Sequence, residues 1–171
     1  MSERTGGGQT MSATESAPYA LTQEEGNAIW FLGTLMTVKA GAEETRDAFT
    51  LIEQILPPGF APPPHVHHVE NEGFYILEGQ LTVTCGDRTW QAVPGSFVFL
   101  PRGIVHTFHV GSMETARILQ LTTPAGFERF AAEVGEPAQS LTLPPPGPPD
   151  VAKLVAAAAK YNIEIKLPPE Q

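Results

Sequence analysis

GFAPPPHVHHVENEGFYILEG, Gly59–Gly79, is the stretch whose reading decides the fold, together with its complement GSFVFLPRGIVHTFHV, Gly95–Val110. In the first, His65 and His67 stand two apart, Glu72 follows and Gly79 closes the segment. In the second, Pro101-Arg102-Gly103 leads into His106. On an extended chain residues i and i+2 project from one face, so His65 and His67 point together. Pro62-Pro63-Pro64 stiffens the approach to them. Three imidazoles and one carboxylate converging inside a barrel suit a divalent first-row metal, at ~2.0–2.2 Å if zinc-like distances apply. A lone H-x-H pair would fit an ordinary surface or core. Two glycine-punctuated segments with matched spacing point to a metal.

Outward from these segments the chain reads as short strands. Ala28–Val38 (AIWFLGTLMTV) is apolar on both faces and predicts one buried strand. Ala48–Leu56 predicts a second, ended by Pro57-Pro58-Gly59. Phe74–Leu77 and the alternating Leu81–Cys85 follow. Gly86-Asp87-Arg88-Thr89 turns into Trp90–Val93, then come Ser96–Leu100, Val105–Val110 and Ala116–Thr122. Closely spaced strands with no helices between them predict an all-β sandwich or barrel. Beyond it, Phe127, Phe130, Ala131 and Val134 fall at helical spacing. Gln139–Pro149 reads as a stiff proline-rich connector. Asp150 is placed to cap a second helix with Val151, Leu154, Val155 and Ala158 as its apolar stripe. Both helices are expected to pack outside the barrel.

The 171 residues suffice for one domain with a core. A formal net charge of -9 argues against nucleic-acid and anionic-membrane partners. The single Cys85 forms no internal disulfide, which fits a reducing cytoplasm. Residues 1–18 are polar and glycine-rich with no apolar core, so disorder is expected there and no signal peptide. No apolar run approaches the ~20 residues of a membrane span.

The two histidine segments resemble the paired motifs of the cupin superfamily, and the surrounding strands extend the resemblance over most of residues 28–122. The second motif departs at its end, where the family often has Asn and this chain has Val110. The resemblance implies a double-stranded β-helix, the cupin jelly-roll barrel, over residues 19–123, followed by a helical tail over 124–171. It implies one divalent transition metal per chain (Fe, Mn, Ni or Co, with Zn as a further candidate) and a homodimer. Carried over by position, the ligands are His65, His67, Glu72 and His106. Glu70 rivals Glu72 as a ligand; family spacing favours Glu72 and leaves Glu70 solvated.

Strand parity turns His68 and His109 away from the site. Glu78 reads as a surface charge and Cys85 as a small buried hydrophobe. Phe74, Ile76, Phe97, Phe99 and Phe108 read as core or as the apolar wall of a pocket beside the metal. The single barrel, HVHH…E…FYILEG and the tail TPAGFERF…EVGEPA are similar to bacterial quercetin 2,3-dioxygenase-type monocupins. That likeness implies a small aromatic substrate and O2, with Glu72 as general base for the flavonol 3-hydroxyl and ring cleavage to a depside and carbon monoxide. Two alternatives stand beside it. One is a zinc-dependent polyketide cyclase or isomerase-type monocupin using the metal as Lewis acid. The other is a non-catalytic small-molecule-binding barrel.

Overall fold

Two antiparallel sheets face each other in a computed structural model that describes residues 17–167. Most of the 1–18 segment expected to be disordered lies outside the described residues. The seven-stranded sheet runs β11-β1-β2-β3-β10-β5-β8. Its members are β1 (Asn27–Phe31), β2 (Thr34–Ala40), β3 (Thr50–Leu56), β5 (Asn71–Glu78), β8 (Phe97–Leu100), β10 (Ala116–Thr123) and β11 (Glu136–Pro137). The five-stranded sheet runs β12-β4-β9-β6-β7. It holds β4 (His65–His67), β6 (Leu81–Cys85), β7 (Arg88–Ala92), β9 (His106–Val110) and β12 (Ile163–Ile165). Three short helices complete the chain: α1 (Ala42–Thr45), α2 (Phe127–Val134) and α3 (Val151–Lys160). This is the jelly-roll arrangement expected from the strand pattern.

Alternation sets which side chains enter the core. Along β3, Thr50, Ile52, Gln54 and Leu56 are buried; along β10, Ala116, Ile118, Gln120 and Thr122 are. One core cluster joins Phe74, Ile76, Leu81, Val83, Phe108 and Ile118. A second joins Ile29, Phe31, Met36 and Ile52 to Phe127, Phe130 and Leu154 of the helices and Ile163 of β12. The helices thus stand outside the sheets, as expected, with their apolar faces turned onto the barrel's mouth.

Several elements differ from the sequence reading. Ala28–Val38 is two strands, because Leu32 and Gly33 both take positive φ (50° and 85°) and make the two-residue hairpin turn. The sequence marks that turn only with Gly33, since leucine seldom adopts such a backbone. Asp150 caps α3 as expected, accepting from the Lys153 N–H at 2.9 Å. The buried face of α3 is Leu154, Ala157 and Ala158; Val151 and Val155 are exposed. The strands β11 and β12 were not anticipated. Each gets its definition from pairing with an edge, and neither has a pattern of its own long enough to read.

Gly79 closes β5 where the chain passes close to β10. A Cβ there would lie 2.7 Å from the Thr115 carbonyl oxygen, on a backbone at φ +75°. Gly79→Ala should therefore cost about 1–3 kcal/mol in a chemical denaturation curve. An unchanged midpoint would show that the turn relaxes freely.

Candidate metal centre

Four side chains from both sheets meet inside the barrel. Glu72 comes from β5; His65 and His67 come from β4, and His106 opens β9. His65 and His106 are direct cross-strand partners. The turn at Gly103 binds the two histidine segments together, its N–H donating to the His67 carbonyl at 2.8 Å. Each of the four residues offers one ligand atom, and these atoms lie within 4.8 Å of one another. A cation at ~2.0–2.2 Å from each would need them within roughly 4.4 Å, so the group closes by only a few tenths of an ångström.

Hydrogen bonding fixes which nitrogen each ring presents. His65 Nδ1 donates to the Pro63 carbonyl at 2.9 Å and His106 Nδ1 to the Ile104 carbonyl at 3.0 Å. His67 Nδ1 donates to Glu70 at 2.8 Å. A carbonyl or a carboxylate accepts, so every Nδ1 carries its proton, and in the neutral ring each Nε2 is the nitrogen with a lone pair for a metal. His67 Nε2 is buried with no partner. His106 Nε2 stands 3.0 Å from the Glu72 carboxylate, where a lone pair facing an anion calls for a proton or a cation. This donor set fits a divalent metal: three imidazole nitrogens and a carboxylate, with the rings anchored from behind.

The same contacts shift the titrations of the metal-free site. Burial pushes His65 down to about 4, and the charge of His106 adds to it against the opposing Glu72 carboxylate. Burial also pushes His67 down, but its hydrogen bond to Glu70 and the charges of Glu72 and Glu70 outweigh this and raise it. For Glu72 burial acts upward. The His106 hydrogen bond and the imidazole charges prevail and hold it at about 2.

Glu70, expected to be solvated, is buried against His67. The bend after β4 carries it inward, and strand parity does not extend across a bend. Two further residues escaped the sequence reading. Gln120 donates through Nε2 to the second oxygen of Glu72, and Gln54 donates through Nε2 to Gln120 Oε1. A signal for them existed: both are polar residues at the inward parity of otherwise apolar strands.

A cavity opens beside His65, His67 and Glu72, with walls that include Phe31, Met36, Phe60, Phe74, Phe108 and Phe127. Its open interior is about 60 Å³, room for a few waters at roughly 10–15 Å³ each. Phe74 and Phe108 line it. Ile76 is buried in the core behind and does not reach it. Phe97 and Phe99 point out of the sheet, 59% and 54% exposed, because Val98 and Leu100 take the inward parity of β8. His68 and His109 are exposed, His68 pairing with Glu164 at 3.1 Å. Glu78 is a surface charge paired with Arg117, and Cys85 is buried.

Residues 52–122 match the Cupin domain family. Quercetin 2,3-dioxygenase of Bacillus subtilis is 29% identical over 129 residues, 75% of this chain and 38% of that protein. The chain therefore spans well under half of that relative's length. Among solved structures, a Thermotoga maritima protein described as a predicted oxalate decarboxylase shares the fold with a TM-score of 0.53 at 19% identity, over 60% of this chain and 94% of the other. The polyketide cyclase RemF of Streptomyces resistomycificus is 28% identical with a TM-score of 0.48, over 72% and 78% of the two chains. No helix among the described residues is long and apolar enough to cross a membrane.

Two outcomes are expected. Glu70→Gln should weaken metal binding about 10–100-fold in competition with a chelator, since the ring loses its charged anchor; wild-type affinity would dismiss that anchor. The metal-free protein should lose stability as pH falls from 6.5 toward 4, because unfolded His65 takes a proton that folded His65 refuses. Glu72 adds a second loss from 4.5 toward 2, where the unfolded carboxylate is protonated first. His67 works in the opposite sense above 6.5, its stabilisation fading as pH rises through its raised value. Denaturation midpoints across pH would read all three, and a flat profile between 4 and 6.5 would contradict the burial of His65.

Proposed function

We propose that this chain, whose residues 52–122 match the Cupin domain family, is a metal-dependent dioxygenase acting with O2 on a flavonol-like aromatic substrate. The observation that carries the reading is the convergence of three imidazoles and one carboxylate beside a cavity walled by aromatic side chains. The likeness to a quercetin 2,3-dioxygenase supports it.

His65, His67 and His106 would hold the metal through Nε2, and Glu72 through the oxygen that faces His106. The metal when bound supplies a positive centre for substrate oxygens and, if redox-capable, for O2. The residues around it do the rest. Phe74, Phe108 and Phe127 offer ring faces and edges that orient a planar substrate and exclude water. Exclusion of water strengthens each charge interaction in the site. Glu72 is ionised at neutral pH, so it is in the form that accepts a proton. Gln120 holds one of its oxygens, so the hydroxyl proton would go to the other, the one that faces His106, only when Glu72 loosens from the metal. Leu154, Ile163 and Ile165 of the tail complete the cavity wall.

The test is O2 uptake after stripping the protein and reloading it separately with Fe(II), Mn(II), Co(II), Ni(II) or Zn(II). Uptake should require both quercetin and a redox-capable metal. Glu72→Gln should keep part of the metal and lose turnover by about 10²-fold or more. No uptake with any metal, or turnover by the zinc form without O2, would overturn the dioxygenase reading.

A further inference from the structure

Three polar side chains cross the inner face of the seven-stranded sheet diagonally: Glu72 on β5, Gln120 on β10 and Gln54 on β3. Gln120 is paired in register with Phe74, two residues from Glu72, and Gln54 with Ile118, two residues from Gln120. Each step is the diagonal neighbour relation that long side chains can bridge. All three are 3% exposed, and all three line the cavity. Away from the histidines the remaining walls are chiefly aromatic and aliphatic.

The direction of this chain is forced by the carboxylate. Gln120 Nε2 donates to Glu72 Oε1, so its amide NH₂ is turned toward the carboxylate. The oxygen of Gln120 then faces Gln54, which must turn its own NH₂ inward. Gln54 Oε1 is left at the end, and among the described residues nothing donates to it. A polar group held this way on an apolar wall is the usual means by which a cavity fixes a ligand's orientation.

We infer that Gln54 is a specificity residue, its Oε1 accepting a hydrogen bond from a substrate hydroxyl remote from the metal. The inference rests on the flavonol reading above and deepens it. The favoured substrate is a polyhydroxylated flavonol, bearing a donor beyond the hydroxyl and carbonyl that face the metal. Gln120 is a positioning residue in this scheme: it transmits the fixed polarity of Glu72 to Gln54.

The experiment compares two ligands on the zinc-loaded full-length protein, a form in which binding is read without oxidation. Quercetin carries hydroxyls on its outer rings, whereas 3-hydroxyflavone has only the metal-facing pair. Affinities follow from the absorption shift on titration. Gln54→Leu should weaken quercetin about 5–10-fold and leave 3-hydroxyflavone within about twofold, at unchanged zinc content. Gln54→Met, closer in shape, should behave alike and covers the case in which the leucine variant fails to fold. Equal weakening of both ligands would mean that Gln54 only shapes the wall, and no weakening would mean that it touches neither; each overturns the inference while the flavonol reading stands. Wild-type protein that binds neither ligand would overturn both.

Discussion

Three imidazole lone pairs turned toward one point beside a buried carboxylate form an arrangement that an apolar interior resists. Everything around the site answers that resistance. His65 and His106 are each pinned by the carbonyl two residues upstream, on Pro63 and Ile104. Both carbonyls belong to loops that enter a strand at the histidine itself, so the backbone alone orients these rings. His67, one strand position further on, has no such carbonyl and relies on Glu70. The difference shows in the titrations: burial lowers His65, whereas its carboxylate anchor raises His67.

The fold supplies the ligand atoms from opposite sheets, Glu72 from one and the histidines from the other. The strand that carries two of the histidines is short and little paired with the rest of its sheet. β4 has three residues and a single register pair with β9, at His65 and His106. Its other edge is covered by β12, with Ile163, Glu164 and Ile165 opposite His67, Val66 and His65. The tail thus provides most of the pairing of the ligand strand, and Ile163 and Ile165 also stand on the cavity wall. The segment that pairs with the ligand strand therefore also shapes the cavity beside it.

Much of the barrel was legible because period-two alternation is a strong signal wherever one face is buried. Leu81–Cys85 and Ala116–Thr122 read correctly for that reason. The signal fails when both parities are apolar. Ala28–Val38 hid a hairpin that way, and in Phe97-Val98-Phe99-Leu100 the larger residues turned out to face solvent. Which parity faces inward is decided by the pairing with β5, where Phe74 meets Val98. That information lies elsewhere in the chain. The convergence of His65, His67, Glu72 and His106 could be anticipated from spacing and family likeness. Glu70 could not be, since it sits on a bend where no periodicity applies. Gln54 and Gln120 could have been found from their polar character at core parity, a contradiction that usually marks a site.

That contradiction also gives the cavity a direction. The Glu72–Gln120–Gln54 line lies on one sheet, while Phe60, Phe108 and the ring of Phe127 approach from the other strands and from α2. Each amide satisfies its neighbour, so the line is stable as a unit and costly to break in part. A wholly apolar wall would hold a planar ring system in several poses of similar energy, because dispersion has little directional preference. A single polar line beginning at Glu72 removes that freedom. In the proposed reading it ties the in-plane orientation of a bound ring to the carboxylate that serves as base.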